Sequence, residues 1–163
     1  MQLRDAELVL EWRNHPEIKR YMYTSQEIGL QEHMEWFERM MLNSCVHLMI
    51  YEQQEIPLGF VNINYSKHSH VAEWGFYVCP SAPKGTGRKL ASATFEYAFN
   101  KLKLHKVFGE VMSVNERSIL FHKNLGFIEE GRLREQYFNG QNYYDVICFG
   151  LLAAEWKKID EYK

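Results

Sequence analysis

Lys84-Gly85-Thr86-Gly87-Arg88-Lys89 stands between an alternating strand-like stretch and a long apolar helical pattern, and its reading decides the fold. Two glycines in three positions let backbone come close to a ligand. A helix that begins near Gly87 presents unpaired N–H groups and the positive end of its dipole, and Lys84, Arg88 and Lys89 add charge. These features favour a pyrophosphate. A tight turn uses the same residues. The stretch matches neither the phosphate loop that ends in Gly-Lys-Ser/Thr nor the three-glycine dinucleotide fingerprint. Taken locally, an anion site and a plain turn both stand open.

On either side the periodicities are clear. Before the loop, Val46 to Tyr51 and Pro57 to Tyr65 read as strands joined by a polar turn at Gln53 and Gln54. His70 to Val78 is a third strand, with Val71, Glu73, Gly75 and Tyr77 on one face and Ala72, Trp74, Phe76 and Val78 on the other. Earlier still, Asp5 to Asn14 predicts a helix, Pro16 starts a short helical turn over Glu17 to Met22, and Leu30 to Leu42 predicts a helix with Leu30, Met34, Phe37 and Met41 on its apolar face. After the loop, Gly87 to Lys103 predicts a buried helix, apolar on more than one side. Leu104 to Met112 is a strand, Asn115 to Asn124 a helix, and Phe127 to Tyr137 and Asn142 to Leu152 flank the hairpin signal Asn139-Gly140. This order predicts a mixed α/β (α+β) sheet with helices on its faces.

The second informative segment is Asn115-Glu116-Arg117-Ser118-Ile119-Leu120-Phe121-His122-Lys123-Asn124-Leu125-Gly126-Phe127. Asn115 is a good helix N-cap, and Asn115, Ser118 and His122 share one helical face. Gly126 sits where the helix must stop, and Phe127 begins a strand. By itself the segment is a capped amphipathic helix.

Together the two segments resemble the GNAT superfamily of N-acetyltransferases, over Ile56 to Leu152. In that family a Gly-x-Gly loop after a splayed central strand cradles the coenzyme A pyrophosphate, and an Asn-x-x-Ala/Ser helix ending in Leu-Gly-Phe flanks the thiol end. The resemblance implies a mixed, mostly antiparallel central sheet with helices on both faces. It implies acetyl-CoA as cosubstrate, held by Val78, Lys84, Gly85, Thr86, Gly87, Arg88, Lys89, Asn115 and Ser118. Two positions depart from the family pattern: Ala82 stands where Gln or Arg is usual, and His122 where Tyr is common. The family also opens with a strand, whereas only Met1 to Arg4 precede the first helix here. That leaves the first strand either absent from the sheet or encoded upstream.

The N-terminal half carries Trp12-Arg13-Asn14-His15-Pro16-Glu17-Ile18, Tyr21-Met22 and Glu32-His33, followed later by Ala72-Glu73-Trp74-Gly75-Phe76-Tyr77 and Glu130-Gly131-Arg132-Leu133-Arg134-Glu135. This combination is similar to the aminosugar N-acetyltransferases of the pseudaminic-acid pathway of flagellin and surface-glycan modification. They acetylate the 4-amino group of a UDP-linked dideoxy sugar. The resemblance implies an acceptor site formed by Arg13, His33, Asn62, Asn64 and Tyr77. Arg13 has the fork for a phosphate or a base carbonyl, and it could equally pair with Glu17 one helical turn on. His33 could bond a phosphate or hydroxyl, or simply edge the apolar stripe.

The implied chemistry is direct attack of a neutral amine on the thioester. Glu73 is the expected base and His122 the expected hydrogen-bond or proton donor to the departing thiolate. An acetyl-cysteine route through Cys79 lacks an adjacent base in the sequence. His68 and His70 read as a polar hairpin tip, and no metal is expected. A polyamine or a protein N-terminus is the alternative acceptor, and a non-catalytic acyl-CoA-binding module is the alternative class.

Bulk properties narrow the remaining classes. The chain has 163 residues, 46% of them apolar and 25% charged, which suits one domain over residues 1–163. Aromatics reach 15%, mostly as core, and the net charge of −2 gives no nucleic-acid footprint. Cys45, Cys79 and Cys148 show no paired spacing, so neither disulfides nor a zinc motif is indicated. With no signal peptide and no long apolar run, no membrane partner is expected and a cytoplasmic location is the default. A homodimer is left open.

Overall fold

The structure is a computed structural model that describes residues 1–156, so the end of the expected 1–163 domain lies outside the described residues. The elements are a 3-10 turn (Leu3–Asp5), α1 (Ala6–Asn14), α2 (Pro16–Lys19), α3 (Leu30–Met41), β1 (Val46–Gln53), β2 (Ile56–Ser66), β3 (Val71–Val78), α4 (Thr86–Glu96) continued by a π turn (Tyr97–Lys101), β4 (Lys106–Met112), α5 (Glu116–Asn124), β5 (Ile128–Phe138) and β6 (Tyr143–Leu152). The strands form one six-stranded sheet in the order β1-β2-β3-β4-β6-β5. The β3–β4 pair is parallel, while β1–β2, β4–β6 and β5–β6 are antiparallel. This is the mixed, mostly antiparallel architecture expected. Among the described residues no strand precedes α1. The segment before it forms the 3-10 turn, and the Met1 amino group donates to the Leu48 carbonyl of β1 at 2.9 Å.

The chain divides into two compact units, one formed by Met1–Tyr65 with Trp74–Leu90, the other by Ser66–Glu73 with residues from Ala91 onward. In the first unit, α1 and α3 bury Val9, Trp12 and Phe37 against Leu48 of β1 and Phe60 of β2. The short α2 starts as Pro16 dictates, with the His15 side chain accepting from the Glu17 N–H, and it stops at Lys19, earlier than the expected Met22. The buried stripe of α3 is displaced from the expected one. Phe37 is inside, but its partner one turn earlier is His33, while Leu30 and Met41 are 49% and 57% exposed. The helix is rotated so that His33, Trp36, Phe37 and Met40 meet the core. Apolar periodicity favours Leu30 and Met41 and puts His33 only at the edge of the stripe, because it does not register that a histidine can be buried.

In the second unit the end of α4 and its π turn bury Phe95, Ala98 and Phe99. Phe95 packs against Phe99, Phe127 and Trp156 with ring centroids 6.2, 5.5 and 5.4 Å away. Val107 and Val111 of β4 and Ile147, Phe149 and Leu151 of β6 are buried as well, alternate residues that share one face of the sheet. The α5 helix begins where Asn115 caps it, its Oδ1 accepting from the Ser118 N–H at 3.1 Å. No helix among the described residues is long and apolar enough to cross a membrane.

Phe95 is fully buried and touches three other rings, so Phe95→Ala removes a large side chain from a site that cannot collapse freely. The expected loss is about 3–5 kcal/mol of unfolding free energy, measured by urea titration. A loss below about 1 kcal/mol would show that this ring cluster does not organise the second unit.

Candidate functional site

In the first unit the loop between β3 and α4 has the features a pyrophosphate needs. Gly85 adopts φ +91°, a backbone region that side-chain-bearing residues rarely enter, and no atom lies within 4 Å of where its Cβ would stand. Thr86 is buried, its hydroxyl donating to the Pro83 carbonyl at 2.7 Å, which locks the turn into the start of α4. Lys84, Arg88 and Lys89 are exposed and form no ion pair with the described residues. Three uncommitted cations at the N-terminus of an eleven-residue helix fit an anionic ligand. Val78 ends β3 just before this loop and is half-buried.

The same unit brings Arg13, His33 and Tyr77 together. Arg13, in the last turn of α1, donates from Nη2 to the Thr24 carbonyl at 2.9 Å rather than pairing with Glu17. Its Nη1 is buried without a partner among the described residues. Burial lowers the Arg13 pKa and the neighbouring Tyr77 opposes that shift. His33 is 4% exposed, and its ring stacks on Trp36 at 5.0 Å. Burial holds its pKa below 6.5, with the Arg13 charge acting in the same direction and a hydrogen bond to the Ala6 carbonyl acting against it. The Nε2 of His33 is buried and unpartnered, so the bond to Ala6 uses Nδ1–H. Tyr77 is less available than expected. Its hydroxyl donates to the Val9 carbonyl at 3.3 Å, its ring leans on Phe60, and burial pushes its pKa far above the ordinary phenol value. Asn62 is half-buried on β2 and Asn64 is exposed further along the same face.

The second unit holds the remaining candidates. Glu73 sits in register with Phe108 of β4, and both burial of its carboxyl and the nearby Glu110 raise its pKa above 4.5. The direction suits a base, although the residue keeps more than a third of its surface exposed. Cys148, opposite Glu110 in the β4–β6 ladder, has its thiol pKa raised by burial, Glu110 and Glu130 in that order. Glu130 is paired with Lys106 at 2.5 Å. Glu110 is not marked by any motif in the sequence, and Glu130 only as the start of the Glu130–Glu135 run. The alternation Lys106-Phe108-Glu110-Met112, which puts a carboxylate amid a strand, was the signal available.

His122 is enclosed in the core of the second unit. It is 4% exposed, stacked on Phe149 at 5.2 Å with Phe127 edge-on at 5.1 Å. Its Nδ1 lies 2.8 Å from the Ser118 carbonyl and 3.4 Å from the Ser118 hydroxyl. Burial lowers its pKa and the bond to the Ser118 backbone opposes the shift. With Nδ1 engaged by Ser118 and burial favouring the neutral ring, His122 is less suited to donate a proton than the sequence alone suggests. Ser118 and Asn115 are likewise engaged within α5. Cys79 at the end of β3 meets the Ser81 hydroxyl at 3.1 Å, not a base.

Comparison with known proteins agrees with these features. A family model described as an acetyltransferase (GNAT) domain matches residues 1–128. Acetyltransferase PseH of Campylobacter jejuni is 29% identical over 123 residues, spanning 74% of this chain and 76% of the relative. Spermidine N(1)-acetyltransferase of Vibrio cholerae is 27% identical over 157 residues, spanning 93% of this chain and 90% of the relative. A crystal structure of spermidine N-acetyltransferase from Vibrio cholerae in complex with CoA and spermine superposes with a TM-score of 0.89 at 22% identity, covering 96% of this chain and 95% of that one.

The placement of His122 has a consequence for stability. Its folded pKa lies below the 6.5 of the unfolded chain, so below about pH 6.5 the unfolded state binds the extra proton and stability falls with falling pH. His122→Phe removes that liability. The drop in urea midpoint between about pH 8 and about pH 5 should be smaller in His122→Phe than in the wild type. An equal or larger drop would contradict the buried neutral ring.

Proposed function

Because the chain belongs to the GNAT acetyltransferase family, it is an acetyl-transferring enzyme, and we propose that it moves the acetyl group of acetyl-CoA to the 4-amino group of a UDP-linked aminodideoxy sugar. The observation that carries this reading is the pair of buried, unpartnered nitrogens on Arg13 and His33. Arg13 is half-buried, but its enclosed Nη1 has an unused N–H that is costly unless a ligand completes it, and a diphosphate or uracil carbonyl has the matching acceptors. The likeness to PseH supports the same acceptor.

In this reading the loop Lys84–Lys89 holds the donor's pyrophosphate, with Val78 leading into it. Arg13 and His33 bind the nucleotide side of the acceptor, and Asn62 and Asn64 its sugar. The donor supplies an acetyl group already activated as a thioester. Glu73 takes one proton from the acceptor ammonium, directly or through one water, leaving a neutral amine to attack. Binding both substrates in one geometry supplies much of the remaining rate. A second N–H proton leaves with the coenzyme as thiol, without His122 as its donor.

A second reading is favoured by a specific feature of the second unit, where Glu73 and Glu110 stand near one another on the sheet. Paired carboxylates attract a polycation, and the spermidine N(1)-acetyltransferase of Vibrio cholerae aligns over most of this chain. A polyamine would use those carboxylates and ignore Arg13.

Two substitutions test the proposal. Gly85→Val places a β-branched residue at φ +91° in the loop and should weaken acetyl-CoA binding by about tenfold or more, as read by calorimetry on a folded variant. Arg13→Ala should raise the KM for a UDP-4-amino sugar by about 10–100-fold, the range for a lost charge-assisted hydrogen bond, with acetyl-CoA affinity unchanged. An Arg13→Ala enzyme with unaltered acceptor kinetics, or with donor affinity reduced to the same degree, contradicts the assignment.

A further inference from the structure

Asn62 and Gly75 face each other on neighbouring strands of the first unit, and their fit is unusually close. A Cβ built on Gly75 would stand against Oδ1 of Asn62, nearer than real Cβ atoms come, with Cγ at 3.5 Å and Nδ2 at 3.7 Å. Gly75 leaves room on β3, and the Asn62 carboxamide fills it from β2. On the strand face that otherwise bears Tyr77, the polar group at this level is therefore borrowed from the adjacent strand.

The seat lies at a boundary. Along β2, Phe60 is 4% exposed and packed in the core, Asn62 is half-buried, and Asn64 is open to solvent. The Asn62 carboxamide makes no hydrogen bond with the described residues, although it could use two donors and an acceptor. A half-buried, uncommitted amide held in a fixed seat carries a desolvation cost that a ligand can relieve.

We infer that Gly75 acts as the positioning residue that aims the Asn62 carboxamide at the amine acceptor, so that the pair sets acceptor selectivity. This rests on the reading that this face of the first unit receives the acceptor. Because the obstruction at Gly75 is the end of a side chain and its backbone lies outside the positive-φ region, Gly75→Ala should fold and simply expel the carboxamide from its seat.

The test is a double-mutant cycle on acetyl transfer, followed as free thiol, with a UDP-4-amino sugar and with spermidine. Gly75→Ala and Asn62→Ala should each lower acceptor kcat/KM by about tenfold, and the double variant should be no worse than either single one, because both remove the same seated group. Acetyl-CoA affinity should stay within about twofold of the wild type. Asn62→Asp keeps the shape and the glycine seat, so it reports even where Gly75→Ala fails to fold, and it should change acceptor KM while leaving acetyl-CoA affinity unaltered. Wild-type kinetics in Gly75→Ala or in Asn62→Asp, or fully multiplicative losses in the double variant, overturn the inference. A wild-type enzyme that acetylates neither amine overturns the underlying acceptor reading instead, and this inference with it.

Discussion

The alternation of β3 is the constraint on which the rest depends. Ala72 and Trp74 are buried at 0% and 4% exposure, which turns Glu73, Gly75 and Tyr77 to the other face. The parallel register with β4, from Val71 opposite Lys106 to Glu73 opposite Phe108, holds that assignment. A slip by one residue would bury the Glu73 carboxyl and expose Trp74, a change far costlier than any local adjustment could offset. The strand thus fixes the proposed base, provides the space that Asn62 occupies, and delivers the chain to the glycine loop after Val78.

Two local groups of charge, not the units as wholes, carry the proposed chemistry. The first offers Arg13 and the cations of the loop to anionic groups. The second sets Glu73 near Glu110, where burial first and the Glu110 charge second raise the pKa of Glu73. An enzyme that transfers an acetyl group to an amine needs both, since the donor is a polyanion and the acceptor must lose a proton. The acceptor class is the point on which the two patches disagree. The enclosed, unpartnered Nη1 of the half-buried Arg13 is given more weight here than the carboxylate pair, because desolvation magnifies the gain from completing its hydrogen bond.

Much of this was legible in the residues. Period-two and period-3.6 patterns gave every strand and helix with small boundary errors, Asn115 announced the α5 cap, and the glycine loop was marked by composition. The failures share a cause, which is that local pattern does not reveal what a side chain meets. Met41 and Leu30 looked like core and lie outside, while His33 looked marginal and lies within. His122 aligned with a tyrosine of the family but is enclosed by Phe127 and Phe149, two rings brought to it by the fold. Tyr77 has its hydroxyl committed to Val9, a residue 68 positions away. Asn14 stood in the quoted Trp-Arg-Asn run without a role, and it proves to hold Ile28 by two hydrogen bonds, fixing the segment that leads into α3.

The most direct measurement is the steady-state release of coenzyme A thiol by the wild-type enzyme, with acetyl-CoA and either a UDP-linked 4-amino sugar, spermidine or no acceptor. The account predicts that the UDP-amino sugar gives a kcat/KM at least about tenfold above that for spermidine, with negligible thiol release in the absence of an amine. Preferred turnover of spermidine would contradict the role given to Arg13 and His33 and would move the acceptor to the carboxylates of the second unit.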